Sequence, residues 1–85
     1  MMQPSVGRIV HFGVPVYEKL PDGTYASKVT GIEPWAAIIS RVHDDGTVNL
    51  RVVHPDGYSG SDLHREHVKQ SETLEEERWC SPPRV

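Results

Sequence analysis

Five histidines, one cysteine and six aromatic side chains carry whatever chemistry these 85 residues offer. His64 and His67, with Glu66 between them, have the look of metal ligands. A stable zinc site needs three or four ligands, and only two histidines are offered. On a strand, an offset of three also turns the two rings to opposite faces. No metal is expected there. Cys80 stands beside Trp79 and just before Pro82-Pro83. A nucleophile needs a base and an orienting group on a rigid platform, and this setting supplies neither. There is no Gly-rich phosphate loop and no nucleophile elbow. No catalytic residue, no cofactor and hence no enzyme are expected. His11, His43 and His54 fall in or at the ends of strand-like segments. Each is expected to satisfy a neighbouring carbonyl, with a pH-sensitive trio around a pocket as the alternative.

Recognition suits the remaining residues better. Trp35, Tyr58, Tyr17 and Tyr25 lie at expected junctions of loop and strand. Arg8, Arg41 and Arg51 lie on strands and are placed to present guanidinium groups beside them. An aromatic face stacks a base, and an arginine holds a phosphate. The candidate ligand-binding set is Arg8, His11, Tyr17, Trp35, Arg51, His54 and Tyr58. The bland alternative is that Trp35 plugs one end of the core, with Arg51 lying over it.

These residues need a frame, and the punctuation of the chain suggests one. Seven Gly and seven Pro break it into short segments without long helix-period runs. "VGRIVHF" (6–12) reads as a first strand. "GVPVYEKLPDGTYASKVTGIEP" (13–34) reads as long and irregular. Within it, Pro21-Asp22-Gly23 has turn chemistry and allows a small hairpin excursion or a surface loop. "WAAIISRVH" (35–43) is nearly apolar at its start, as in a central strand covered on both faces. Asp45-Gly46 then makes a turn. In "TVNLRVVH" (47–54), Val48, Leu50 and Val52 point one way, and Thr47, Asn49 and Arg51 the other. Pro55-Asp56-Gly57 is the exit turn. A segment centred on Val68 supplies a last strand. Thr73 with Glu76 forms a capping box, so one or two helical turns are predicted over 74–79. Trp79 is expected to anchor the tail.

The pattern predicts a mainly β fold: a small SH3-like barrel of four or five short antiparallel strands, with a short C-terminal helical turn and an extended Pro-rich end. The barrel would span 1–71, and the acidic tail, 72–85, would pack on it or on a neighbouring subunit. The runner-up is an open sheet with the C-terminal helix across one face.

Bulk properties narrow the class. A chain this short makes one domain and buries only about 60 to 65% of its unfolded surface. A single cysteine forbids an intrachain disulfide and suits a reducing compartment. Good packing or oligomerisation must then help, and a homo-oligomer is expected. "MMQPSVGR" has no apolar run after its charge, so no signal peptide is expected. No stretch approaches a membrane span of roughly 20 apolar residues. A cytoplasmic protein follows as the expectation. Net charge is −3, and residues 1–71 carry eight acids against seven bases. That balance disfavours nucleic acid as a partner.

Two resemblances add to this reading. "VGRIVHF", "WAAIISRVHDDGTVNLRVV" and "HREHV" resemble the layout of Tudor and other SH3-like modules, over about half the chain. More closely, Pro4, Gly7, Arg8, Val10 and His11, then Ala36, Ala37 and Ile39, then Trp79, Pro82, Arg84 and Val85 are similar to motifs shared by short phage and prophage proteins. The chain departs at Cys80 and Ser81, where a second aromatic or His often stands in those proteins. The resemblance implies a phage-encoded accessory protein in a bacterial host cytoplasm and supplies no activity.

Three functions fit. The first is a non-enzymatic, oligomeric module that sequesters an anionic nucleotide, such as a signalling molecule of anti-phage defence. The second is a protein-interaction or virion component using the acidic helix and the Pro-Pro-Arg-Val end. The third is single-stranded nucleic-acid binding, which the charge weakens.

Overall fold

The computed structural model describes residues 3–57 and 63–83. Five strands form one antiparallel sheet: β1 (Ile9–Lys19), β2 (Tyr25–Val42), β3 (Val48–Val52), β4 (His64–Val68) and β5 (Trp79–Cys80). Their order is β4-β3-β2-β1-β5. The chain is mainly β, as the punctuation predicted. The ladder does not close into a barrel. Among the described residues its two ends meet through the isolated bridge between Gln70 and Trp79, where Trp79 N donates to Lys69 O at 3.1 Å and Ser71 N to Trp79 O at 2.8 Å.

Two turns of one design set the register. At Asp22-Gly23-Thr24 and Asp45-Gly46-Thr47, the Asp Oδ1 accepts both the Thr backbone N–H (3.0 and 2.9 Å) and the Thr hydroxyl (2.7 and 2.6 Å). The glycines sit at φ +91° and +89°, a left-handed conformation that costs a Cβ-bearing residue energy. Each glycine N–H closes its turn on the carbonyl three residues back, Leu20 or His43, at 3.0 Å. At Asp22 the donated bonds from Thr24 hold the carboxyl below its ordinary pKa. At Asp45 the Thr47 bonds do so first, and the charges of His67 and His43 add to them. A carboxylate with a depressed folded pKa stabilises the fold above its unfolded pKa of about 3.9, and that contribution is lost as pH falls through the folded value. Asp45→Ala is therefore expected to lower the urea midpoint at pH 7 and to converge on the wild type at about pH 2. A deficit equal at both pH values would contradict the turn's role.

The clearest sequence pattern survives intact. Val48, Leu50 and Val52 are buried on one face. With Val10, Phe12, Ala37, Ile39, Val68 and Trp79 they make the core, and half-buried Val14 and Trp35 pack against it. Burying each such aliphatic side chain contributes about 1.5–3 kcal/mol. Of the residues expected on the opposite face, Asn49 is half-buried and Arg51 exposed, whereas Thr47 is buried beside the turn.

Three expectations are corrected. First, 13–34 is no irregular loop. It is most of a long β1/β2 hairpin, paired from Ile9 with Ile38 to Lys19 with Tyr25. Bulges between Val16 and Tyr17 and between Tyr17 and Lys19 hide its period-two pattern. Second, the central strand is covered on one face only. Ala37 and Ile39 are buried, while Ile38 faces out. Ile38 stands in line with Ile9, which is 60% exposed, with Arg51 and, across the next strand, with His64. Third, no helix forms over 74–79, and no α-helix is present among the described residues. Ser71 Oγ bonds to the Glu75 carboxylate, and Glu77 is left-handed at φ +58°. So short a helix is unstable alone. The extended form lets Glu77 N donate to Gly13 O (2.9 Å) and Arg78 O accept from Gly13 N (3.0 Å). Trp79 is fully buried, so it does anchor the tail, as a member of the sheet. No described helix is long and apolar enough to cross a membrane.

Candidate functional site

The candidate site opens on the core side of the sheet. β1 carries Phe12 and Val14 to its wall, and β2 carries Trp35, the cross-strand partner of Phe12. Val52 and His54, at the end of β3, form the opposite side. Leu63 stands just before β4 and Arg65 on it, and Glu77 comes from the tail. Together they enclose about 220 Å³.

The rings are held at defined angles. His54 meets Trp35 edge to face, with centroids 4.6 Å apart and planes at 67°. Trp35 Nε1 donates to Glu33 Oε1 at 3.2 Å, which fixes the indole in its plane. His54 is in turn steadied by the exit turn, where Asp56 N donates to its Nδ1 at 3.0 Å. The guanidinium of Arg65 lies 5.8 Å from the centre of the Phe12 ring, a cation–π distance. Its Nη1 donates to the carbonyl of His64 at 3.1 Å. Its Nε stands 3.8 Å from Glu77 Oε2, a loose and half-exposed ion pair of small net strength. The pocket therefore offers flat aromatic walls and one weakly engaged guanidinium.

Two of the expected ligand residues, Trp35 and His54, meet here. Tyr58 lies outside the described residues. Arg51 projects from the other face of β3, opposite Ile38 and His64, so it neither joins Trp35 nor covers it. Arg8 is exposed ahead of β1, where its backbone serves the ladder through Ile39 N. Tyr17 is exposed far along the hairpin. His11 faces a separate cavity of about 320 Å³, shared with Pro34, Leu74 and Cys80. Burial raises the Cys80 thiol above its ordinary pKa, which disfavours the reactive thiolate.

The histidines do not form a trio. His43 stacks on His67 beside the β2/β3 turn, centroids 3.9 Å apart and 13° from parallel. Asn49 Oδ1 receives His43 Nε2 at 2.7 Å and the His67 backbone N–H at 3.2 Å. His64 lies apart from both, 3.4 Å from Glu66.

Arg65, Phe12 and Glu77 escaped the sequence reading. Arg65 had one usable signal. In "LHREHV", alternation puts Leu63 and Arg65 on one face, and a lone Arg between a buried Leu and a core Val is a candidate for lining an apolar cleft. Glu77 had none, because its placement depends on pairing with β1, 64 residues earlier in the chain.

Compared with known proteins, the chain matches no family model, no curated protein and no solved structure.

Proposed function

We propose that this chain is a non-enzymatic binding module that holds a planar, anionic ligand of nucleotide type in the Trp35–His54–Arg65 pocket. The observation that carries this reading is the pairing of ring faces with an arginine whose one carboxylate neighbour among the described residues stands at 3.8 Å. A base or similar ring stacks on Trp35, worth about 1–3 kcal/mol. A phosphate then takes the Arg65 guanidinium from Glu77 through a shorter, charge-assisted bond. The volume of about 220 Å³ is below the roughly 300–1,000 Å³ of drug-sized sites. It suits one ring and its substituent, with the rest of a larger nucleotide lying outside.

The strand number, the antiparallel order and the Asp-Gly turns support kinship with SH3-like modules, with the seam between β4 and β5 left open. The phage-like motifs support a phage-encoded protein acting in the host cytoplasm, with a signalling nucleotide of anti-phage defence as the ligand. The interaction-module alternative loses its acidic helix but gains the exposed hairpin.

A thermal-shift series with mono-, di- and cyclic nucleotides tests the reading. A binder at one hundred times its Kd adds about 2.7 kcal/mol. For a domain of this size that raises Tm by about 10 °C or more. Arg65→Ala and Trp35→Ala should each abolish the shift, while Arg51→Ala, on the opposite face, should leave it unchanged. A flat response across the series sinks the proposal.

A further inference from the structure

We infer that the outer edge of β2 is a docking edge for a second copy of this chain, pairing antiparallel about a two-fold axis between Thr30 and Gly31. Past Gly13 the β1/β2 hairpin leaves the body of the sheet. β5 pairs with β1 only at His11 and Phe12, with a further bridge at Gly13. β3 pairs with β2 only from Ala37 onward, apart from the Val53 N–H bond to Ala36 O. Residues 14–19 and 25–35 are thus a two-stranded arm with both edges open among the described residues, and the molecule is drawn out to 45 × 27 × 26 Å. Such a hairpin is marginal in water by itself. Yet this arm exposes Val16, Tyr17, Leu20, Tyr25, Val29 and Ile32, with Tyr25 67% accessible.

The two edges differ. Pro15 removes a donor from the middle of the β1 edge. On the β2 edge every residue from Tyr25 to Glu33 keeps its N–H, and proline comes only at Pro34.

The sequence of that edge is self-complementary. In "KVTGIE" (28–33), an antiparallel copy sets Lys28 opposite Glu33 and Val29 opposite Ile32, twice each. Faces agree as well as charges. Cross-strand partners share a face. Ile32 pairs with Pro15 and Val29 with Tyr17, two residues apart on β1, so Ile32 and Val29 lie on one face. Lys28 and Glu33, their immediate neighbours, lie on the other. An odd spacing of three would ordinarily separate Val29 from Ile32. The extra residue of the β2 bulge, between the partners of Val16 and Tyr17, brings them back together. The bulge thereby makes this one register consistent. A two-fold contact of this kind is isologous and closes at two copies; the β1 edges left outside are each interrupted by Pro15. It joins the two apolar arm faces into one four-stranded surface. It involves none of the residues that line the pocket; Glu33 also holds Trp35, so Lys28→Glu, which touches neither, separates this inference from the ligand reading.

Sedimentation velocity over a concentration series, with circular dichroism as the check on folding, decides it. The wild type should reach the mass of two chains. Lys28→Glu creates two facing acidic pairs and should weaken dimerisation about tenfold or more. Glu33→Lys should do the same. The double exchange, K28E with E33K, restores both pairs and should return the dimer to within about threefold of wild type. A wild type that stays monomeric throughout overturns the inference. So does an assembly of any order that K28E leaves unchanged, or a double exchange that fails to recover.

Discussion

Replacing Trp79 with alanine is expected to cost about 3–5 kcal/mol, the usual range for a buried Trp truncation. A domain of this size has roughly 5–10 kcal/mol in total. The variant should therefore lose between about a third and all of its stability, and unfold at a much lower denaturant concentration. The argument rests on where Trp79 stands. It is fully buried, and it is the largest side chain in the core. It also lies at the seam, where its N–H and C=O tie Lys69 and Ser71 while its strand pairs with Phe12 and His11. Losing the ring opens a cavity and loosens the bridge at which the two ends of the sheet meet. The indole Nε1 is buried with no partner among the described residues. A buried donor without a partner costs about 1–3 kcal/mol. Trp79→Phe removes that cost along with part of the volume, and should retain the fold with a loss of about 1–2 kcal/mol. Guanidinium denaturation followed by circular dichroism measures both. An alanine variant within about 1 kcal/mol of wild type would show that the tail is not part of the core.

How much of this was legible beforehand depends on the range of the signal. The Val48-Leu50-Val52 alternation and the Asp45-Gly46 turn are local, and the buried face and the turn between β2 and β3 were read correctly. The hairpin arm was not, because Thr30 inserts an extra residue and breaks the period at the point where it would be recognised. The apolar start of "WAAIISRVH" suggested two covered faces, but Ile38 and Ile9 pair with each other on the open face. The same hydrophobic run serves a core on one side and an uncovered surface on the other. The capping box at Thr73 and Glu76 was a sound local cue that lost to a distant one, since the edge of β1 offers Gly13 as a backbone partner. The site shows the same division. Trp35 and His54 flank the legible β2/β3 hairpin and were found. Arg65 and Glu77 arrive through β4 and the tail, whose positions only the tertiary pairing fixes.

Gly13→Ala is the second variant expected to have a large effect, and it tests that distant pairing directly. A Cβ built at Gly13 would stand 1.9 Å from Glu75 O and 2.7 Å from its carbonyl carbon. Those are backbone atoms and cannot swing aside as a side chain would. Ile32 Cγ2 stands only 3.2 Å away on another side. The tail must therefore lift, which strains or breaks Gly13 N to Arg78 O and Glu77 N to Gly13 O. Overpacking costs about 1–3 kcal/mol. The two backbone bonds add about 0.5–1.5 kcal/mol each. Together they approach the effect of losing Trp79, since a displaced 75–78 segment drags Trp79 from its socket. Gly31→Ala, compared at a concentration where the chain is monomeric, is the control, because a Cβ there meets nothing within 4 Å in the same chain and that glycine is not at positive φ. It should be neutral or slightly stabilising, by up to about 1 kcal/mol. Denaturation midpoints of the two variants, with hydrogen exchange at the Glu77 and Trp79 amides, separate the cases. Fast exchange at both amides in Gly13→Ala, with protection retained in Gly31→Ala, is the expected result. Equal protection in the two would mean that the tail does not depend on the bare backbone at Gly13, and the pocket wall formed by Glu77 would need another support.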